Sequence, residues 1–158
     1  MVRSFLTRAA VGLLSLAALS CASGSVFQLS LEEQAALREA LDTPLTFIVP
    51  RERSIESWDR AREFLDRYSS MKLRSTTDSM LVSYDTPTYS SDPSSVESGA
   101  NLRYGYTISR SRDPGGIQVV VQCTASTKRG DEFAKQNAHL AASYILTGYL
   151  GCTRCIVR

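Results

Sequence analysis

Two cysteines near the end of this 158-residue chain, in Cys152-Thr153-Arg154-Cys155, form the one motif with a chemical signature. A dithiol enzyme sets such a pair between a strand and the N-terminus of a helix, where the helix dipole lowers the pKa of the first thiol. Here the pair follows Gly151 and the last helical pattern, and only three residues come after it. The expected role is therefore a structural disulfide, either within the pair or from one member to Cys123. A Cys123 to Cys152 bridge would close a loop of about 29 residues and contribute roughly 3.5 kcal/mol in the chain-entropy view. Thiol-disulfide exchange is the alternative chemistry for the pair.

Cys123, Cys152, Cys155 and the single histidine, His139, match a Cys3His zinc set by count. Structural zinc uses two close ligand pairs and only one exists here, so no metal is expected. His139 shares a helical face with Lys135, Gln136 and Ser143 and reads as a surface histidine. Acid-base catalysis needs carboxylates that converge on one cleft. Asp59 and Glu63 lie four apart on a helix among Arg60, Arg62 and Arg67, a solvated ion-paired face, and Asp78 and Asp113 stand in turn contexts. No serine lies in a nucleophile elbow and no glycine-rich run cradles a phosphate, so no catalytic residue and no cofactor is implied.

The N-terminus carries an address. Arg3 and Arg8 precede an apolar run from Ala9 to Leu19, too short for a bilayer span of about 20 residues but suited to a cleaved export signal over residues 1–20. Leu16-Ala17-Ala18-Leu19-Ser20-Cys21 resembles the lipobox of bacterial lipoproteins, with the leucine two residues before the cysteine instead of three. The resemblance implies a diacylglycerol on Cys21 and a membrane partner through that anchor. Ala18-Leu19-Ser20 also suits ordinary signal peptidase, which would leave a soluble periplasmic or secreted form, and both routes cut before Cys21. Ala22 and Ser23 contain no acidic retention signal, which by resemblance to lipoproteins of two-membrane bacteria implies the periplasmic side of the outer membrane. Removing Arg3 and Arg8 leaves 16 basic against 16 acidic residues, a net charge of zero. Nucleic acid is not an expected partner, because counterion displacement needs clustered Lys and Arg.

The elements that must position these groups follow from periodicity. Ser30-Leu31-Glu32-Glu33 has capping-box spacing and predicts a short helix with Leu31, Ala35, Leu37, Ala40 and Leu41 on its apolar side, ending near Asp42. Leu45 to Pro50 reads as a strand. Ser54 is expected to cap a second helix reaching Tyr68, with Ile55, Trp58, Ala61, Leu65 and Tyr68 inward and Glu56/Arg60 and Glu63/Arg67 paired outside. Residues 71–84 read as one bulged strand or two strands joined by a tight turn, with Leu73, Met80, Val82 and Tyr84 inward. Residues 85–100 have little to bury and read as a surface loop. Leu102, Tyr104, Tyr106 and Ile108 alternate toward the core, and Asp113-Pro114-Gly115-Gly116 turns the chain into a second strand with Ile117, Val119, Val121, Cys123 and Ala125 inward. Gln118, Gln122 and Thr124 lie on a wetter face. A last helix from about Glu132 to Thr147 presents Phe133, Ala138, Ala141, Ala142 and Ile145.

Phe47-Ile48-Val49-Pro50, then Trp58, Phe64 and Leu65, then Asp78 ahead of Met80-Leu81-Val82, is similar to the helix-grip domain of the small lipoprotein of the outer-membrane β-barrel assembly machinery. The similarity covers residues 45–84 and implies a sheet gripping one long helix, with an accessory role at the outer membrane. The fold class read from the chain is α+β: an antiparallel sheet of three to five strands against two helices, preceded by the signal and a short helix. The domains are a signal peptide (1–20), a tether with the short helix (21–43), one α+β domain (44–150) and a cysteine-containing tail (151–158). The expected function is an exported, lipid-anchored, non-enzymatic interaction or accessory module that meets an envelope protein. The alternatives are a binder of a small apolar ligand in a cleft between sheet and helix, lined by Trp58, Tyr104 and Tyr106, and a redox protein using the terminal CxxC.

Overall fold

Ser30 opens the first helix, α1 (Leu31–Asp42), by the reciprocal bonds its spacing predicts: the Glu33 N–H donates to Ser30 Oγ at 3.2 Å, and the Ser30 N–H donates to Glu33 Oε2 at 2.8 Å. The computed structural model describes residues 28–69, 72–84, 104–126 and 128–157, so the export segment with Cys21, the expected loop at 85–100 and Leu102 lie outside the described residues. On α1 only Ala40 is fully buried. Leu37 is half-buried, while Leu31, Ala35 and Leu41 are exposed, so the helix uses less of its apolar stripe than expected.

Strand β1 (Thr46–Val49) alternates, with Phe47 and Val49 buried and Thr46 and Ile48 exposed. Helix α2 (Ser54–Tyr68) follows a 3-10 turn at Arg51–Arg53. Ser54 is its first helical residue and not its cap, because its hydroxyl donates backward to the Arg51 carbonyl at 2.8 Å. The buried face comprises Ser57, Trp58, Ala61, Phe64 and Leu65. At about 100° per residue, Ile55 falls outside that arc, and it is 73% exposed. The expected ion pairs form, Glu56 with Arg60 and Glu63 with Arg67 at 2.9 Å.

Strands β2 (Leu73–Thr76) and β3 (Met80–Ser83) are two strands and not one. Thr77 turns the chain between them, its Oγ1 accepting from the Met80 N–H at 2.9 Å, and the pairing register shifts between Leu73 and Ser75. The expected orientation of β3 is reversed. Leu81 and Ser83 are buried, whereas Met80 is 43% and Tyr84 52% exposed. The reason lies in pairing with β4 (Tyr104–Asp113), which sets Leu81 beside Ile108. Ser83 is tolerated inside because its Oγ accepts the Tyr106 N–H at 2.8 Å, in place of a ladder carbonyl.

Strand β5 (Gly116–Ala125) completes a hairpin with β4, whose turn is held by the Gly115 N–H donating to Asp113 Oδ1 at 2.9 Å. A side chain at Gly116 would lie 2.2 Å from the Val49 carbonyl oxygen, so the close passage of β1 requires glycine there. The five strands are antiparallel in the order β1-β5-β4-β3-β2. Because β1 and β2 lie at opposite edges, the segment containing α2 carries the chain across the sheet. Helix α3 (Asp131–Thr147) packs beside α2, and ring contacts join the layers: Phe64 lies 5.8 Å from Tyr106 and 5.9 Å from Tyr144 between centroids. On α3, Phe133 is exposed, and the burial expected of it comes from Leu140 and Tyr144, two and three turns further along the same stripe. Guanidinium groups of Arg53 and Arg60 donate to the Leu146 carbonyl at 3.0 and 3.1 Å, covering the negative end of α3. The fold is thus α+β, with three α-helices and a five-stranded antiparallel sheet among the described residues.

Candidate functional site

The tail is part of the core. Asn137, fully buried on α3, donates from Nδ2 to the Val157 carbonyl at 2.8 Å and accepts the Val157 N–H at 3.0 Å. Gln136 donates to the Cys155 carbonyl at 2.6 Å. These bonds lay the chain on α3, where Cys152 and Cys155 are buried and joined to each other by a disulfide with Cα atoms 5.3 Å apart. Cys123 is a free, half-buried thiol, so the longer bridge to it does not form. Cys152 stands at the N-cap of a three-residue 3-10 turn that ends on Cys155, and a single turn is too short to supply the dipole that would activate a thiolate.

At the apex of that turn Arg154 reaches α1 as a fork, Nε to Glu33 Oε1 at 2.8 Å and Nη2 to Oε2 at 2.5 Å. The Arg154 guanidinium, followed by the Ser30 N–H, holds the Glu33 carboxyl down at about 2. Gly151 makes the close approach: a Cβ there would stand 2.4 Å from Ala36 Cβ. His139 is half-buried and not a free surface group; its Nδ1 lies 2.7 Å from the Thr43 carbonyl oxygen, which fixes that nitrogen as the donor. Between these fastenings a recess of about 110 Å³ remains, bordered by Ala36, Ala40, Leu140, Ser143 and Leu150 among others.

The three residues expected to line a cleft are all in the core: Trp58 is 4% exposed and Tyr104 and Tyr106 are buried. The Arg110 guanidinium stacks 4.4 Å above the Trp58 ring. Trp58 Nε1 and the Tyr104 hydroxyl are buried without a hydrogen-bond partner among the described residues. Cys123 faces the same interior, where burial pushes its thiol up to about 12 against the pull of a hydrogen bond with Tyr106. A neutral thiol of that kind is a poor nucleophile. Asp59 pairs with Arg62 and Glu63 with Arg67 on the exposed side of α2, away from any shared cleft. Among the described residues no three His, Cys, Asp or Glu side chains gather as a metal site, and no helix is long and apolar enough to cross a membrane.

The feature that sequence reasoning did not single out is the outer face of the sheet. Register places Thr46, Val120, Ser109 and Met80 in one cross-strand row and Gln122, Thr107, Val82 and Ser75 in the next. Ile48, Gln118 and Ser111 form a third row. None of these side chains is charged, in a chain with 34 charged residues, and all are exposed or half-exposed. The signal was present in the alternation of Gln118, Val120, Gln122 and Thr124, but collecting the rows required the strand order. Comparison with family models, with curated proteins and with solved structures finds no match to this chain.

Proposed function

We propose that this protein is an exported, lipid-anchored module without enzymatic activity, held on the periplasmic side of the outer membrane through Cys21 and working by contact with an envelope protein. The observation that carries the contact role is the outer sheet face, where three cross-strand rows hold no charged side chain and the one carboxylate, Asp113, stands at the hairpin end, with Ile48 and Met80 half-exposed among them. Surfaces of this kind are matched by shape and hydrogen bonding instead of by charge. Export is supported by the Arg3/Arg8 start with its apolar run and by the Cys152–Cys155 disulfide, a bond that persists in oxidising compartments.

The test places a photo-crosslinking amino acid at position 48 in the cell and, as a control, at position 55, a more exposed site on α2. Adducts at 48 and none at 55 support the reading. Adducts at both positions, or only at 55, reject the sheet face. Intact-mass analysis of the mature protein reads the anchor: an unmodified Cys21, or a Cys21→Ser variant that still fractionates with the outer membrane, removes that part of the proposal.

A further inference from the structure

We infer that the recess between α1, α3 and the chain leading into the tail binds a primary alkylammonium group; the inference goes beyond the contact reading and uses neither the anchor nor the sheet face. Three observations carry it. First, the walls are apolar and the space between them is left open by small residues. Ala36 and Ala40 of α1 border it together with Leu140 of α3, Leu150 and Gly151. The backbone at Gly151 comes so close to α1 that a Cβ there would stand 2.4 Å from Ala36 Cβ, and the two alanines are too short to fill what lies beyond. The volume is about 110 Å³. A cavity of ~150 Å³ admits benzene, so this one takes an unbranched stem of about four carbons.

Second, polar groups at the recess have no partner. The Ser143 carbonyl accepts the Thr147 hydroxyl at 2.8 Å, but the Ser143 hydroxyl and the Glu39 carboxylate make no hydrogen bond among the described residues. An ionised carboxylate offers only acceptors and a serine hydroxyl can serve as one, so the ligand that satisfies both brings donors. An ammonium brings three.

Third, the charge matches. Glu39 is the one charged residue that borders the recess among the described residues. Arg154, which reaches α1, is committed to Glu33, and Arg60, beside Gly148, is committed to Glu56. Tyr149, 71% exposed, adds an aromatic ring to the border, a group that attracts a cation. An anion would be repelled, and a neutral chain would leave the carboxylate unanswered. Apolar walls with a few placed polar groups are the usual make-up of a small-ligand site, the polar groups fixing orientation.

The experiment titrates n-butylammonium chloride, n-butanol and sodium butyrate into the exported chain with Cys21→Ser, so that no lipid competes for the recess, and follows the methyl resonances of Ala36, Ala40, Leu140 and Leu150 at fixed ionic strength. Butylammonium should give a saturable shift with a dissociation constant in the millimolar range, as so few atoms allow. Butanol and butyrate should bind at least about fivefold more weakly. Glu39→Gln, at an exposed position of α1, should weaken butylammonium by about fivefold and leave butanol unchanged. Nα-acetyl-lysine N-methylamide carries the same stem and ammonium on a peptide backbone. If it matches butylammonium, the occupant is a lysine side chain of another protein; if only butylammonium binds, the occupant is a free amine, and both results support the site. No saturable shift at these four residues up to about 100 mM overturns the inference. So does equal binding of butanol with unchanged affinity in Glu39→Gln, which would make the recess a packing gap.

Discussion

Reducing the Cys152–Cys155 bond should cost the folded protein about 2 kcal/mol. The bridge closes a loop of only four residues, and the chain-entropy relation assigns such a loop about 2 kcal/mol, against roughly 3.5 for the longer bridge to Cys123. For a folded domain of this size the loss corresponds to a fall in melting temperature of roughly 6–10 °C. The assay is thermal unfolding followed by circular dichroism with and without a phosphine reductant, with thiol titration confirming two additional free thiols. Cys152→Ala/Cys155→Ala should reproduce the reduced midpoint without the reductant. Replacing both by serine should cost more than replacing both by alanine, by about 1–3 kcal/mol for each hydroxyl left unsatisfied in this buried position. Cys123→Ala should leave the effect of reduction intact. No shift after both thiols have titrated would refute the structural role, and a loss near 3.5 kcal/mol that vanished in Cys123→Ala would refute the pairing.

Glu33 titrates at about 2 in the folded chain against an ordinary 4.5; its depressed value means that the stabilisation is complete above pH 4.5 and lost as pH falls from 4.5 toward 2. Urea titrations should show wild type and Arg154→Ala converging across that window, and a gap that stays constant with pH would exclude the fork as its source. Trp58→Ala should destabilise by about 3–5 kcal/mol, and the native emission of this single tryptophan should be blue-shifted; a water-like maximum would place the ring outside the core. Gly151→Ala puts a methyl group 2.4 Å from Ala36 Cβ, so a loss of about 1–3 kcal/mol is expected. Ala36→Gly in the same chain should recover much of that loss in chemical denaturation, and equal stability of the two chains would refute the contact.

Local chemistry was the legible part of the sequence. The Ser30 to Glu33 capping box, the Asp113 turn and the inward alternation of Tyr104, Tyr106 and Ile108 depend on neighbours within a few positions, and each formed as expected. Orientation in β3 was not legible, because Met80 and Val82 make an apolar alternation as persuasive as that of Leu81, and only the pairing with β4 chooses between them. A buried serine hides the true face from any hydropathy pattern. The candidate sites were least accessible. Glu33 and Arg154 are 121 positions apart, and the preference of Cys152 for Cys155 over Cys123 depends on Asn137 and Gln136 drawing the tail onto α3. The outer face becomes visible only when four strand pairings are assembled.

The fork between Arg154 and Glu33 also sets a length. With α1 fastened, the chain from Cys21 to Ser30 extends at most about 30 Å, and under the proposed anchor on Cys21 that reach would hold the sheet close to the bilayer. Detached, α1 would add about 18 Å as a helix, and its linker to Thr46 about 13 Å more, doubling the radius the domain can sweep. The volume open to it would grow roughly eightfold, and its effective concentration at any fixed target near the membrane would fall in proportion. Under that proposal, the fork between the tail and α1 would set how often the domain meets its target, without touching the surface that makes the encounter.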